Sequence, residues 1–280
     1  MRFVIFLTTV FVLLYRPSLA SFDTKKGARP LAMGGAYTAA AFGGDAFYYN
    51  PAGLWYNANP MGQAFFSRPF NLTELQTVTF NFTYPYFFGN VSANAESYGY
   101  DLYRETTLSL AYANVYKERV AMGVVINYNH LAIKNAGSAA AVGLDFGILV
   151  RPLRMLTVGA MVRNINHPSI KKDVLPQTFT VGACFQIMDH FRLMADAYKD
   201  VRYPTDIRVG GEYTFMEKFI IRSGLGSDPS RFCGGFGLDL GLAVLDYGFN
   251  THQELGMTHA LSLSFHIDRK PSRSLQPSLR

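Results

Sequence analysis

Apolar and polar residues alternate, position by position, through most of this chain. In segment 77–84, Val78, Phe80 and Phe82 alternate with threonines and an asparagine. Alternation sustained over about ten residues is typical of β-strands, whereas helical spacing of apolar residues never continues beyond two turns. The chain is therefore predicted to be all-β. The same period of two recurs in segments 107–114, 120–131, 140–150, 155–164, 177–187, 190–198, 205–215, 218–226, 232–240, 241–250 and 257–267.

The strand positions that alternate with the apolar residues form a second set, or parity. The residues in this set distinguish a soluble β-sandwich from a membrane barrel. A solvated face is usually rich in lysine, but here glycines dominate this parity and the lysines lie at strand ends and turns. Only 16% of the residues are charged, whereas soluble domains have about 25%. In an outer-membrane barrel the apolar parity faces lipid and the other lines a lumen, and this alternative fits better. The charges predicted to line the lumen are Asp145, Arg163, Arg192, Asp196, Asp206, Arg208, Glu212, Arg222, Asp239 and Asp246.

The predicted connections alternate between short and long, as they do in outer-membrane barrels. Short ones are expected at 115–118, 151–152, 188–189 and 216–217, and longer ones at 134–138, 165–176, 200–204, 227–231 and 251–256. If segment 85–104 were one loop, counting from a strand at 62–69 would give thirteen strands. A tight turn at Phe88-Gly89-Asn90 and a strand at 91–99 give fourteen. Bacterial barrels have even strand numbers, so we predict about fourteen antiparallel up-and-down strands, with twelve as the alternative.

The two ends of the chain differ from the predicted barrel at 61–267. Arg2 is followed by a mostly apolar run, 3–15, and by Ser18 and Ala20, a pattern typical of a cleaved signal peptide (1–20). A membrane anchor is the competing interpretation, but thirteen residues at about 1.5 Å each fall short of a bilayer of about 30 Å. Cleavage is expected near Ala20/Ser21, with the mature protein in the bacterial outer membrane. Residues 268–280 are predicted to form a basic periplasmic tail.

Residues 21–60 form a third kind of segment, rich in glycine and alanine between 27 and 54. Asn50 followed by Pro51 is a favourable start for a short helix, because asparagine caps and proline fits the first helical position. Such a compact segment of small residues suits packing inside a barrel. We therefore predict that residues 21–60 form a hatch, with Gly34, Gly35, Asn50, Pro51, Ala52 and Gly53 as its central residues.

Several motifs make the chain resemble a known family. Met33-Gly34-Gly35-Ala36-Tyr37 and Tyr49-Asn50-Pro51-Ala52-Gly53-Leu54 resemble the start of PorV/PorQ-type proteins within the FadL superfamily, and segments 143–147, 151–152, 162–167 and 251–259 are also similar. The resemblance implies a fourteen-stranded barrel with the hatch folded inside. It also implies either passage of hydrophobic molecules such as fatty acids or service in type IX secretion. The longest clear outer loop, 165–176, is short for a ligand-capturing loop, a departure from FadL itself.

Other chemistry is predicted to be absent. The sequence has no nucleophile-elbow or zinc-helix motif, so no enzyme, cofactor or metal site is predicted. The cations are spread singly, which argues against nucleic-acid binding. The predicted partners are outer-membrane lipid and a hydrophobic small molecule that the barrel passes or binds. The alternative is an accessory barrel that binds proteins of a type IX-like secretion system. An apolar patch on the lumenal wall beside the hatch would favour the first function.

Overall fold

The computed structural model describes residues 26–117, 119–171 and 173–267. Within them, fourteen antiparallel strands close into one barrel, which confirms the predicted fold class and the larger strand number. Each strand pairs with its neighbour in the chain, except that strand Leu156–Arg163 pairs with strand Thr178–Met188 across a small separate hairpin. The first strand closes the barrel against the last, with Met61 opposite His266. The predicted signal peptide (1–20) and basic tail (268–280) lie outside the described residues.

The barrel strands follow one another in simple up-and-down order. They are β1 (Met61–Arg68), β2 (Thr77–Tyr86), β3 (Gly89–Tyr100), β4 (Tyr103–Tyr116), β5 (Val120–Ile133), β6 (Gly137–Leu153), β7 (Leu156–Arg163), β10 (Thr178–Met188), β11 (Phe191–Asp200), β12 (Asp206–Phe215), β13 (Phe219–Ser227), β14 (Ser230–Asp239), β15 (Ala243–His252) and β16 (Gly256–His266). A separate hairpin of β8 (Ser169–Ile170) and β9 (Asp173–Val174) lies in the connection from β7 to β10, here called the β7–β10 loop.

The helices are short and lie mainly in the hatch. They are α1 (Ala28–Ala32), α2 (Ala46–Tyr49) and the 3₁₀ helices Pro51–Tyr56, Pro69–Asn71 and Thr73–Leu75. The Asn50 side chain accepts a hydrogen bond from the Ala52 N–H at the start of the first 3₁₀ helix, as the Asn-Pro pattern predicts. No helix in the described part of the chain has the length and hydropathy needed to cross a bilayer.

The strand parity is the one that the sequence predicts. In β2, Val78, Phe80 and Phe82 point outward and are 38–57% exposed, whereas Thr79 and Asn81 point inward and are at most 1% exposed. The exterior therefore presents a continuous apolar surface, and the polar side chains occupy the interior. A solvated barrel would have the opposite distribution, so this surface is one that faces lipid.

The two rims of the barrel have different connections. At the turn end, which also holds Met61 and His266, the strands are joined at 87–88, 154–155, 189–190, 216–218 and 240–242 and between β4 and β5. At the loop end the connections include 69–76 and the β7–β10 loop, and these two carry most of the length difference. Aromatic rings gather at the turn end, where Tyr86 and Phe88 lie 4.7 Å apart, as expected of an interfacial girdle.

Several predicted connections are corrected by the strand pairing, and of the longer ones 134–138 and 251–256 shorten to 134–136 and 253–255. The long connection at 227–231 is wrong, because Ser227 pairs with Ser230 and leaves a tight turn at 228–229. The short turn at 151–152 is displaced to 154–155, because β6 continues to Leu153. Pro152 is accommodated at an irregularity in the β6–β7 register between Val150 and Leu153, a place where the missing N–H of proline breaks no regular ladder bond.

Candidate functional site

The described part of the hatch, residues 26–60, fills much of the lumen, and wall glycines make room for it. An added Cβ at Gly210 would lie 2.7 Å from the Cβ of Met33, and one at Gly159 would lie 2.6 Å from the carbonyl oxygen of Thr38. Gly123, Gly147, Gly224 and Gly248 are similarly close to hatch atoms. Glycines occupy these inward-facing strand positions for a steric reason, since a larger side chain there would push the hatch away.

A buried carboxylate, Glu212 on β12, holds the first helix of the hatch to the wall. Arg29 donates from Nε to Oε2 at 2.8 Å and from Nη2 to Oε1 at 2.7 Å. Arg192 and Arg222 donate to the same carboxylate, and Arg222 also binds Asp246 at 2.6 Å. Three guanidinium groups thus share two carboxylates in a space that excludes most water, where charges are stable only when paired.

Two further aspartates help to hold the backbone of the hatch, Asp196 directly and Asp206 through Arg231. Asp196 on β11 accepts the N–H groups of Tyr37 and Thr38 through Oδ2, each at 2.9 Å. Asp206 on β12 accepts from Arg208 at 2.8 Å and from Arg231 at 2.7 Å. Arg231 also donates to the carbonyl oxygen of Gly34 at 3.0 Å. The wall therefore satisfies backbone groups that a segment without regular structure would otherwise leave unpaired.

Asn50 fixes the far side of the hatch and is fully buried. Its Nδ2 donates to the carbonyl oxygens of Thr38 at 3.1 Å and Ile148 at 2.9 Å. Its Oδ1 accepts from Ala52 at 3.2 Å. One side chain thus joins two parts of the hatch to strand β6, which is a larger role than a helix cap alone.

The other predicted hatch residues lie at two places in the lumen, Gly34 and Gly35 beside β12 and β13, and Pro51 and Ala52 beside β5. Gly34 and Gly35 have φ of 68° and 84°, a backbone conformation that favours glycine. Pro51 and Ala52 pack beside Gly123, and an added Cβ at Gly53 would collide with the carbonyl oxygen of Ala41.

The predicted lumenal charges divide into four groups. Glu212, Arg192, Arg222 and Asp246 lie on β11, β12, β13 and β15 and form, with Arg29, an ion-pair network here called the clamp. Asp206, Arg208 and Asp196 lie on the same strands β11 and β12. Asp145 and Arg163 lie across the lumen on β6 and β7. Asp239 stands apart: it ends β14, and its Oδ1 accepts the Gly241 N–H at 2.8 Å, so it caps a turn.

Sequence reasoning missed several hatch anchors. Arg29 and Lys26 lie in the hatch, where no periodic pattern marks them. Asn90, Glu96 and Arg231 lie on inward-facing strand positions, and Asn90 donates to the carbonyl oxygens of Leu54 at 2.7 Å and Asn57 at 2.8 Å. If the alternation had been followed through Asn90, Glu96 and Arg231, it would have predicted that these three side chains face the lumen.

A recess lies between the hatch and strands β3–β7, on the loop-end side. It is partly open to solvent. The floor belongs to the hatch, and the walls carry amides, hydroxyls and charges. The lining residues are Lys26, Phe47, Tyr48, Asn94, Glu96, Thr107, Ser109, Asn127, Asn129, Asp145, Arg163 and Asn164.

Charges in the recess balance one another. Lys26 and Glu96 form a buried ion pair at 2.6 Å. Asp145 accepts from Asn127 Nδ2 and from the Asn164 N–H, each at 2.8 Å. The guanidinium of Arg163 donates to the carbonyl oxygen of Tyr48. The wall beside the hatch is thus polar here, and the apolar patch looked for in the sequence is reduced to two rings, Phe47 and Tyr48.

The β7–β10 loop folds over the wall next to the recess. Ile170 and Leu175 of the loop are buried against Leu131 on the inner face of β5. Asn164 Nδ2 donates to the carbonyl oxygen of Pro176 at 2.7 Å, which closes the base of the loop. An apolar cluster therefore borders the polar recess at the loop end. In the described residues, no group of His, Cys, Asp and Glu side chains is arranged to hold a metal ion.

Comparison of the sequence with protein-family models finds no match. Comparison with curated proteins finds no match either.

Comparison with solved structures gives several similar barrels. The CymD monoaromatic hydrocarbon channel has a TM-score of 0.72 at 12% identity, with 89% of this chain and 100% of that chain covered. The toluene transporter TbuX of Ralstonia pickettii has a TM-score of 0.68 at 13% identity, with 86% and 98% covered. A Pseudomonas aeruginosa FadL homologue has a TM-score of 0.67 at 10% identity, with 89% and 100% covered.

These similarities cover nearly the whole of each of the three proteins. At such low identity they establish the fold. With its closed strand order and lipid-facing exterior, the chain is a bacterial outer-membrane β-barrel with the fold of the FadL-type channels.

Proposed function

We propose that this protein passes hydrophobic small molecules across the outer membrane and that the hatch controls the passage. The observation that carries the proposal is the position of the recess. It opens on the loop-end side of the hatch, while the hatch residues Leu54 and Asn57 are held at the turn end by Asn90, the second residue of β3. A molecule that enters from the loop end therefore meets this recess before it meets the turn-end part of the hatch.

The similar solved structures support passage of hydrophobic molecules. CymD and TbuX are named for monoaromatic hydrocarbons and toluene, and the shared fold supports passage of small apolar molecules here. We assign the loop end to the cell exterior and the turn end to the periplasm, because short turns face the periplasm in barrels of this class. The hatch would occupy residues 21–60, the barrel 61–267, and no catalytic step is required.

The PorV/PorQ subtype rests on the sequence motifs alone. None of the three relatives named above is a secretion component, and no contact in the described residues favours binding of secretion proteins. Passage of hydrophobic molecules, and not type IX secretion, is therefore the function that we propose.

Uptake of labelled toluene by a gram-negative host without its own hydrocarbon channels tests the proposal. Asn127 on β5 is half-buried and faces the recess, whereas its neighbour Tyr128 faces lipid and is 46% exposed. We expect Asn127→Trp to abolish the uptake that depends on the protein, because the indole fills the recess, and Tyr128→Trp to leave uptake unchanged. Equal uptake by the two variants, both shown to be folded by heat-modifiable migration on a gel, would contradict the proposed route.

A further inference from the structure

The recess differs in chemistry from a purely hydrocarbon site. Its walls on β3, β4 and β5 carry the amides of Asn94, Asn127 and Asn129 and the hydroxyls of Thr107 and Ser109. An amide offers donors and an acceptor on one planar group, and a ligand hydroxyl likewise both donates and accepts. A hydrocarbon in this space would cover these groups without replacing the hydrogen bonds they make with water, which is costly.

One wall hydroxyl is already without a partner. The Oγ of Ser109 is buried and makes no hydrogen bond within the described residues, although its residue is only 5% exposed. Buried polar atoms are nearly always hydrogen-bonded, and an exception calls for a partner that the protein itself does not provide. Thr107, one inward position along the same strand, donates to Asn129 Oδ1 at 3.1 Å. Ser109 therefore offers a hydrogen-bonding position to a molecule in the recess.

The charges of the recess favour a ligand without net charge. Lys26 is paired with Glu96, and Asp145 and Arg163 contribute one charge of each sign among the lining residues. An ionic ligand would have to displace one of these partners and leave a buried charge uncompensated, which is strongly unfavourable. A neutral molecule leaves the pairs intact.

Two rings of the hatch provide an apolar surface in the same space. Phe47 and Tyr48 pack edge to face, with ring centroids 5.6 Å apart, and both line the recess. The Tyr48 hydroxyl donates to Asn94 Oδ1 at 2.6 Å, which fixes that ring beside the polar wall. Aromatic rings contact flat apolar skeletons well.

From these features we infer that the recess binds neutral small molecules in which hydroxyl groups are attached to a ring or other apolar skeleton. This inference rests on the proposed function and names the class of molecule that stops above the hatch. The rings take the apolar skeleton, and Ser109 with the neighbouring amides takes the hydroxyls.

Calorimetric titration of the intact, detergent-solubilised protein tests the inference with three probes of one ring size: catechol, toluene and benzoate. We expect catechol to bind at least tenfold more tightly than the other two, because a polar site discriminates against a ligand that leaves its groups unpaired. Thr107→Val should weaken catechol binding about tenfold by removing a wall hydroxyl and freeing the Asn129 amide it orients. The matched control is Thr180→Val on β10, because Thr180 is buried on the inner face but does not line the recess.

Two results would overturn the inference: toluene that binds as tightly as catechol, or equal effects of Thr107→Val and Thr180→Val. The outcome is separable from that of the proposed function. Toluene uptake that is blocked by Asn127→Trp, with no catechol binding, would keep the proposed function and reject this ligand class. If catechol binds at the recess but neither catechol nor toluene is taken up through the protein, the proposed passage across the membrane is rejected instead.

Discussion

Arg29 of the hatch and Glu212 of β12 form a two-pronged ion pair, Nε to Oε2 at 2.8 Å and Nη2 to Oε1 at 2.7 Å, across a sequence separation of 183 residues. Both side chains are at most 10% exposed. The pair is the centre of the clamp that includes Arg192, Arg222 and Asp246. All the charged partners except Arg29 come from the barrel wall. The clamp therefore fixes the position of the hatch relative to the barrel.

Neutralising Glu212 is expected to disrupt both the hatch and the barrel. Glu212→Gln leaves Arg29, Arg192 and Arg222 without their shared carboxylate, and breaking a buried ion pair typically costs about 3–5 kcal/mol. The free energy of unfolding, measured by urea refolding titration in detergent, should fall by about this amount.

Asp101→Asn is the matched control for that change. Asp101 pairs with Arg104 at 3.3 Å, but the two side chains are 93% and 52% exposed. An exposed pair contributes little to stability, so this variant should be indistinguishable from the unaltered protein. A similar loss in both variants would mean that the lumenal clamp has no special role.

Substitution of two neighbouring glycines on β12, Gly210 and Gly211, distinguishes the effect of hatch packing from that of strand propensity. An added Cβ at Gly210 would lie 2.7 Å from both Cβ and O of Met33, whereas one at Gly211 would meet Leu193 Cδ2 at 3.4 Å, an ordinary contact. Gly210→Ala should therefore loosen the hatch, with an overpacking cost of about 1–3 kcal/mol, and Gly211→Ala should not. Limited proteolysis of residues 26–60 in the folded barrel measures this; equal cleavage rates in the two variants would speak against a tight hatch–wall fit.

The lipid-facing parity has its own test at Val209, which is 45% exposed on the exterior. Arginine near the middle of the bilayer should cost about 2–4 kcal/mol, so Val209→Arg should destabilise the barrel in refolding titrations into lipid vesicles. Val209→Leu keeps the apolar surface and should refold normally. If arginine and leucine were tolerated equally, the assignment of this face to lipid would be wrong.

Asn50→Ala tests whether a single side chain ties the hatch to β6. The variant loses a helix cap, worth about 1 kcal/mol, and leaves the buried carbonyl oxygens of Thr38 and Ile148 without this donor. We expect a total loss of about 2–4 kcal/mol in hatch docking, seen as faster amide exchange in residues 36–54 by mass spectrometry. Asn114→Ala, which removes an exposed bond to the Phe88 carbonyl oxygen at 2.8 Å, should leave that exchange unchanged.

Strand number and parity were predictable because the period of two is imposed locally by every strand. Val78 and Phe80 must point the same way whatever surrounds them, and the alternation then identifies the face that meets lipid. The short helix after Asn50 was predictable for the same reason, since cap and proline act within one turn.

What the sequence could not provide are the contacts between distant segments. Nothing near Arg29 indicates that its partner is Glu212, and a glycine such as Gly224 does not reveal that its missing side chain makes room for Met33. The recess is also such a feature, because its floor at Tyr48 and its wall at Asn94 meet only when the barrel closes around the hatch. For Asp239 the parity predicted an inward, lumen-lining side chain. Because the residue lies at the end of its strand, its side chain caps a turn instead.

Ion conductance in planar bilayers tests most directly whether the hatch closes this barrel. A barrel of fourteen strands is wide enough to leave a lumen unless something fills it, and here residues 26–60 do so. The intact protein should conduct few ions, and a variant lacking residues 21–58 should form a stable open channel lined by the charges released from the clamp. If the intact protein conducts like a general porin and the deletion changes nothing, the hatch is not the barrier.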